Sequence, residues 1–187
     1  MANEKPTELI QKKQILIALA VLGAIGLVVF VFWAVPGRKM FRAEQLMSAA
    51  PEIEFELPNG DRTALSRMQG STILINFWAS WCAPCMEEMP SLRMLQEHYR
   101  DRGLVVLAFN ISESREQIRG TVTGDDLPEN LIFNFNKEFL RPYKIDSIPI
   151  SILIDSLGVI RQTYVGPRNW VDFTIRREIE GYLPQPQ

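Results

Sequence analysis

The segment Ile73-Leu74-Ile75-Asn76-Phe77-Trp78-Ala79-Ser80-Trp81-Cys82-Ala83-Pro84-Cys85 dictates most of what this chain can become. Its first half is a nearly continuous apolar, β-branched and aromatic run, the pattern of a strand buried on both faces. That pattern stops at Ala79-Ser80, and a helical pattern follows from Met86 to Leu95. The only two cysteines of the chain lie at this strand-to-helix junction. A helix N-terminus offers unpaired N–H groups and the positive end of the dipole. Both stabilise a thiolate and lower a cysteine's pKa. The thiolate is the nucleophile of thiol–disulfide exchange. The spacing therefore assigns Cys82, at or just before the first turn, as a solvent-facing attacking thiol. Cys85, one turn in and more buried, would resolve the mixed disulfide. Pro84 is tolerated because the first helical turn has no N–H partner to lose, and it stiffens the loop between the sulfurs.

Blander readings of the pair fare poorly. Structural zinc needs four ligands, and this chain has two cysteines and one histidine, His98. A purely structural disulfide across so short a loop would remove little unfolded-state entropy. Met40, Met47, Met86, Met89 and Met94 make no convincing copper site, since methionines at helical spacing are more often core or docking surface. We expect no metal.

The chain has 187 residues, 47% of them hydrophobic and 22% charged, enough for one domain and an appendage. No basic patch with interleaved aromatics points to nucleic acid. From Met40 onward, 15 Lys/Arg stand against 20 Asp/Glu. Residues 1–14 form a short polar tail. Ile15–Val35 is then a stretch without a charge, long enough as a helix to span a membrane at roughly 32 Å. Trp33 near one end suits an interfacial position. A cleaved signal peptide would have a shorter apolar region and a small-x-small site, which Phe32-Trp33-Ala34-Val35-Pro36 lacks, so an uncleaved anchor is favoured. Lys5, Lys12 and Lys13 before the span balance Arg38, Lys39 and Arg42 after it, so charge does not set its orientation.

Residues 36–50 read as a linker and 51–187 as the folded domain. Glu52–Leu57 alternates acidic and apolar residues, Pro58–Asp61 is a turn, and Arg62–Leu65 completes a hairpin. After the Cys82–Arg102 helix, which Pro90 should kink, come a buried strand at Leu104–Phe109 and a helix at Glu113–Thr121 capped by Ser112. Short elements follow at Leu131–Phe135 and Asn136–Tyr143. The hairpin Ser151–Asp155/Val159–Val165 and an amphipathic helix, Trp170–Leu183, close the chain. This alternation suits an α/β sandwich. Pro149 cannot sit inside a central strand and so marks the start of one.

The Phe77–Cys85 segment resembles the active-site segment of thioredoxin-fold proteins, and in particular of the TlpA/ResA-like membrane-anchored thiol–disulfide oxidoreductases. The likeness covers about residues 50–183. It implies a thioredoxin-like fold with an N-terminal β-hairpin addition, and no cofactor beyond a redox-active Cys82–Cys85 disulfide. It implies a cis peptide before Pro149, with Ile148 pairing with an extended substrate segment by strand addition. Trp81, Ala83 and Pro84 would complete the docking surface, while Trp78 reads as core. Glu88 matches a glutamate of ResA-like members, so the likeness implies a general acid/base for Cys85; on its own, an acid early in a helix is favoured by the dipole whatever its role. Glu87 reads as plain surface. Asn76 stands where thioredoxin itself has an acidic residue, so thioredoxin-style proton transfer cannot operate there. The likeness also implies an extracytoplasmic domain on the bacterial cytoplasmic membrane, disulfide-bearing protein substrates with apocytochrome c among them, and a membrane thiol-transferring reductase as electron donor. A disulfide-donating oxidase and a tethered thiol- or copper-binding module remain alternatives.

Overall fold

A computed structural model describes residues 19, 21–26, 47–118, 127–133 and 137–185. The chain divides into two units, Met1–Arg42 and Ala43–Gln187. In the first, residues 21–26 are helical, and Leu19, Val21, Leu22 and Ile25 are exposed. The rest of the expected 15–35 anchor lies outside the described residues. Among those described, no helix is long and apolar enough to cross a membrane.

The second unit is a thioredoxin-like α/β fold with a central mixed sheet. Its strands are β3 (Thr72–Trp78), β4 (Leu104–Asn110), β5 (Leu131–Phe133), β6 (Ile150–Ile154) and β7 (Ile160–Val165). Their order is β5-β4-β3-β6-β7. β3 runs parallel to β4 and antiparallel to β6, from Phe77 opposite Ile150 to Ile73 opposite Ile154. Every residue of β3 is buried, Thr72 and Asn76 included, as its nearly continuous apolar run leads one to expect. The expected hairpin is present as β1 (Glu54–Glu56) and β2 (Arg62–Ala64).

The two faces of β3 bury different partners, because successive side chains alternate. Ile73, Ile75 and Phe77 lie on one face, where Phe77 meets Phe109 and Tyr143, and Phe109 meets Phe55 of the hairpin. Leu74 and Trp78 lie on the other, in one cluster with Cys85, Met89, Leu92, Leu95 and Tyr99 of helix α1 (Ala83–Tyr99). Trp170 and Ile179 join that cluster from the C-terminal region around helix α3 (Phe173–Glu180). Each such buried side chain contributes about 1.5–3 kcal/mol. α1 continues through Pro90, which sits on its exposed side, and gives way to a 3₁₀ turn at Arg100–Arg102.

Three elements depart from the expectations. The helix after β4 is α2 (Arg115–Ile118), residues 119–121 of the expected span lying outside the described residues, and its cap is Ser114, not Ser112. Ser114 Oγ accepts the Gln117 N–H while Ser114 N–H donates to the Gln117 side chain, a reciprocal capping box. Ser112 is engaged elsewhere. Residues 47–50, expected as linker, hydrogen-bond along Gly158–Ile160, with Ala49 bridging Val159. α3 starts only after Asp172, whose carboxylate accepts the Thr174 N–H.

Candidate active site

β3 and α1 place the two cysteines. Cys82 is the N-cap of α1, in extended conformation, and its sulfur accepts the Cys85 N–H at 3.3 Å. The same residue's carbonyl accepts the N–H groups of Cys85 and Met86. A sulfur in the capping position stands where the helix stabilises negative charge best. Cys82 and Cys85 are joined in a disulfide. Cys85 is fully buried, and Cys82 keeps only 6% exposure, against the expectation of an open sulfur. In the closed disulfide the Cys82 sulfur is tied back to Cys85 and to the first turn of the helix, which accounts for the difference.

Ala83 and Pro84 are exposed beside the disulfide, and Trp81 precedes it with 65% of its surface open. Trp81 is not free to swing: its indole N–H donates to Ser112 Oγ at 3.0 Å. The peptide bond between Ile148 and Pro149 is cis, as the resemblance implies. Ile148 lies two residues before β6 begins and packs against the cluster that holds both cysteines. Pro149 is buried, and its carbonyl accepts the Gly166 N–H.

Glu88, one turn beyond Cys85, is only 2% exposed. It sits on the core-facing side of α1 among Cys85, Met89 and Leu92. Asn76 Nδ2 donates to its Oε1 at 2.8 Å, and the Arg168 backbone N–H donates to its Oε2 at 2.9 Å. The Trp170 indole N–H, which makes no hydrogen bond itself, stands near enough to favour the charged form. Burial nevertheless wins and pushes the Glu88 carboxyl above its ordinary range. Asn76 does not bond locally. It also donates to Ser151 Oγ at 2.8 Å, while its Oδ1 is buried with no partner. Glu87 and His98 are exposed on the outer side of α1. Trp78 is fully buried in the core, as expected.

The Redoxin family profile matches residues 45–177. The chain belongs to the Redoxin family. Among its relatives, ResA of Geobacillus kaustophilus, a thiol–disulfide oxidoreductase, is 27% identical over 181 residues, which span 97% of this chain and 99% of the relative. The thioredoxin-like protein YneN of Bacillus subtilis is 33% identical over 120 residues, 63% of this chain and 69% of YneN. A crystal structure described as the thiol:disulfide interchange protein DsbE of Chlorobium tepidum superposes with a TM-score of 0.66 at 26% identity, over 73% of this chain and 96% of that one. This Redoxin-family member is thus TlpA/ResA-like, and it is a thiol–disulfide oxidoreductase of the ResA and DsbE type.

Sequence reasoning missed a second carboxylate at the site. Glu113 leaves β4 and reaches the loop that carries Trp81 and Cys82. Ser80 N–H donates to its Oε2 at 2.7 Å, the Ser80 hydroxyl donates to its Oε1, and Asn110 Nδ2 donates to Oε2 at 3.0 Å. Burial works to raise its pKa, but the hydrogen bonds from Ser80 and Asn110 outweigh it and hold the Glu113 carboxyl below its ordinary range. One signal was available: Asn110-Ile111-Ser112-Glu113 follows a buried strand, and an asparagine there readily folds the chain back on itself. Asn110 Oδ1 does accept the N–H groups of Ser112 and Glu113.

Proposed function

We propose that the chain is a membrane-anchored, extracytoplasmic reductant of protein disulfides, with apocytochrome c among its candidate substrates and a membrane thiol-transferring reductase as its electron donor. The Cys82 thiolate attacks a substrate disulfide, forms a bond to one substrate sulfur and releases the other as a thiolate. The Cys85 thiolate then attacks Cys82. This closes the Cys82–Cys85 disulfide, expels the second substrate sulfur and completes a two-electron transfer to the substrate. Glu88 takes the proton that Cys85 must lose, since a buried carboxyl with raised proton affinity suits that exchange. The extended substrate segment lies along Ile148–Pro149, with Trp81, Ala83 and Pro84 as its docking surface. Residues 15–35 supply the anchor.

The observation that carries the reductive direction is the setting of Cys85. Its sulfur is fully buried and lies one turn from a buried carboxyl. Such a site disfavours a second thiolate, and a dithiol that is poorly stabilised is a better electron donor. The test is the reduction potential of the full chain in mild detergent, by equilibration with glutathione or dithiothreitol. A value at or below about −270 mV supports a reductant; one near about −120 mV would make it a disulfide donor and remove the cytochrome reading. Metal binding without exchange, lost on Cys82→Ser, would favour a tethered binding module instead. A membrane-impermeant thiol reagent should label Cys82 in intact cells after reduction. Failure to label would place the domain on the other side.

A further inference from the structure

We propose that Glu113 is a positioning residue for the nucleophile: by clamping Ser80 it holds the Trp81–Cys82 loop so that the Cys82 sulfur caps α1. The inference rests on the exchange chemistry above and concerns how that site is held in place.

The parallel strands β3 and β4 end together, with Trp78 in register with Asn110. The Ile111 N–H donates to the Trp78 carbonyl at 3.0 Å. Beyond that rung the two chains would separate, since neither loop continues the ladder. Glu113 joins them again. Its carboxylate takes both the backbone N–H and the hydroxyl of Ser80, two residues before Cys82. Asn110, itself fully buried, orients the carboxylate from behind. Ser112, the residue before Glu113, receives the Trp81 indole. The loop between strand and helix is therefore held at Ser80 and Trp81 by one short segment, 110–113. Cys82 comes next in the chain, and its N-cap φ of −89° and ψ of 96° are set by where that loop ends.

A carboxylate that receives three donors is strongly directed, because bonds to a charged acceptor are about twice as strong as neutral ones. Releasing it would free Ser80, leave the loop held only through the Trp81 indole and the Cys82 N–H bond to the Ala79 carbonyl, and so let Cys82 shift from the capping position. The thiolate would then lose the helix N–H groups that stabilise it. The Glu113 carboxylate bonds Ser80 and Asn110, so the effect proposed for it on Cys82 runs through geometry. The neutral glutamine keeps a carbonyl acceptor for the Ser80 N–H and should preserve much of it.

The experiment compares the full chain in detergent with Glu113→Ala, Glu113→Gln and Ser80→Ala. Two readouts are taken: the rate of protein disulfide reduction, and the pH midpoint of Cys82 alkylation in the reduced protein. Glu113→Ala should slow reduction by about tenfold, the cost of a lost charge-assisted bond, and move the alkylation midpoint upward. Glu113→Gln should recover most of the rate and leave the midpoint near that of the parent. Ser80→Ala, which removes only the hydroxyl donor and tests the idea even if Glu113→Ala fails to fold, should give a smaller shift in the same direction. Unchanged rate and midpoint in both Glu113→Ala and Ser80→Ala would overturn the proposal. So would a downward midpoint in Glu113→Ala, since the carboxylate would then act on Cys82 by its charge. An inactive or oxidising parent chain would instead overturn the reductive reading and leave the clamp measurable through the midpoint alone.

Discussion

Replacing Glu88 with glutamine asks how tightly the buried carboxyl holds its proton. Both of its oxygens accept N–H donors, from Asn76 at 2.8 Å and from the Arg168 backbone at 2.9 Å. An amide must turn its own NH₂ against one of them, and a buried donor facing a donor costs about 1–3 kcal/mol. The Arg168 N–H is fixed in the backbone. The Asn76 amide can turn over, because its Oδ1 has no partner to lose and Ser151 can donate its hydroxyl in return. The direct cost of Glu88→Gln should then fall at the low end, about 1 kcal/mol. The pH dependence is the sharper signal. Burial raises the Glu88 pKa above its unfolded value, so folding favours the protonated form. That contribution is fully present below the unfolded value and is lost as pH rises through the folded one. In that window the parent loses up to about 1.4 kcal/mol per pH unit that the variant, with nothing to titrate, does not. Urea unfolding of the oxidised full chain in non-ionic detergent, between about pH 4 and pH 9, measures this. The variant should be the weaker protein at the acidic end and gain on the parent as pH rises. A difference that stays flat with pH would refute the raised proton affinity. A loss above about 3 kcal/mol at every pH would refute the turning of Asn76.

Cys85→Ser should trap the mixed disulfide between Cys82 and a substrate, visible as a reducible higher-mass species, while Cys82→Ser should abolish reduction of a test protein; reduction that survives Cys82→Ser would make the nucleophile assignment wrong. Asp155 closes the β6–β7 turn by accepting the Leu157 and Val159 N–H groups and the Arg161 guanidinium at 2.6 Å. Burial pulls its pKa upward, but the Val159 N–H and Arg161 hold it below the ordinary range. Its stabilisation is therefore present above the unfolded value and lost as pH falls through the folded one. Asp155→Asn should cost about 1–3 kcal/mol at neutral pH, with the difference from the parent closing in acid; a gap that persists there would count against the linkage.

How much of the fold and the site was legible in the sequence depended on range. β3 could be bounded at Thr72–Trp78 because its apolar run is broken only by Asn76 and its ends are marked locally. The cysteine positions followed from the same few residues. The surroundings of Glu88 could not be read, because its partners Asn76 and Arg168 lie 12 and 80 residues away. No periodicity links those positions; only the packing of α1 on β3 and the return of the chain after β7 bring them together. Glu88 itself broke the apolar stripe of α1 without showing whether the helix buried that side. Glu113 was harder still, since a glutamate just past a strand looks like surface. Ser114, by contrast, was readable: Ser114-Arg115-Glu116-Gln117 is a capping-box pattern, and it outcompetes Ser112 because Gln117 can reciprocate.

The two carboxylates explain together why neither could be exchanged for the other. Glu88 is enclosed, meets two N–H donors, and has its proton affinity raised by burial. Glu113 is half-buried, meets three donors, and is held in its charged form. A group that must take and return a proton needs the first setting; a group that must grip a loop at every working pH needs the second. Their positions match. Glu88 lies on the helix behind Cys85, which in the proposed mechanism has to lose a proton before it can resolve the mixed disulfide. Glu113 lies across from Ser80, ahead of Cys82, which has to keep its place at the N-cap. Asn76, neutral where thioredoxin has an acid, fits this division. A second carboxylate at 2.8 Å from Glu88 would share its proton and tie its titration to that of the pair. The asparagine amide can serve either state by turning over, which in the proposed mechanism leaves Glu88 able to exchange a proton with Cys85.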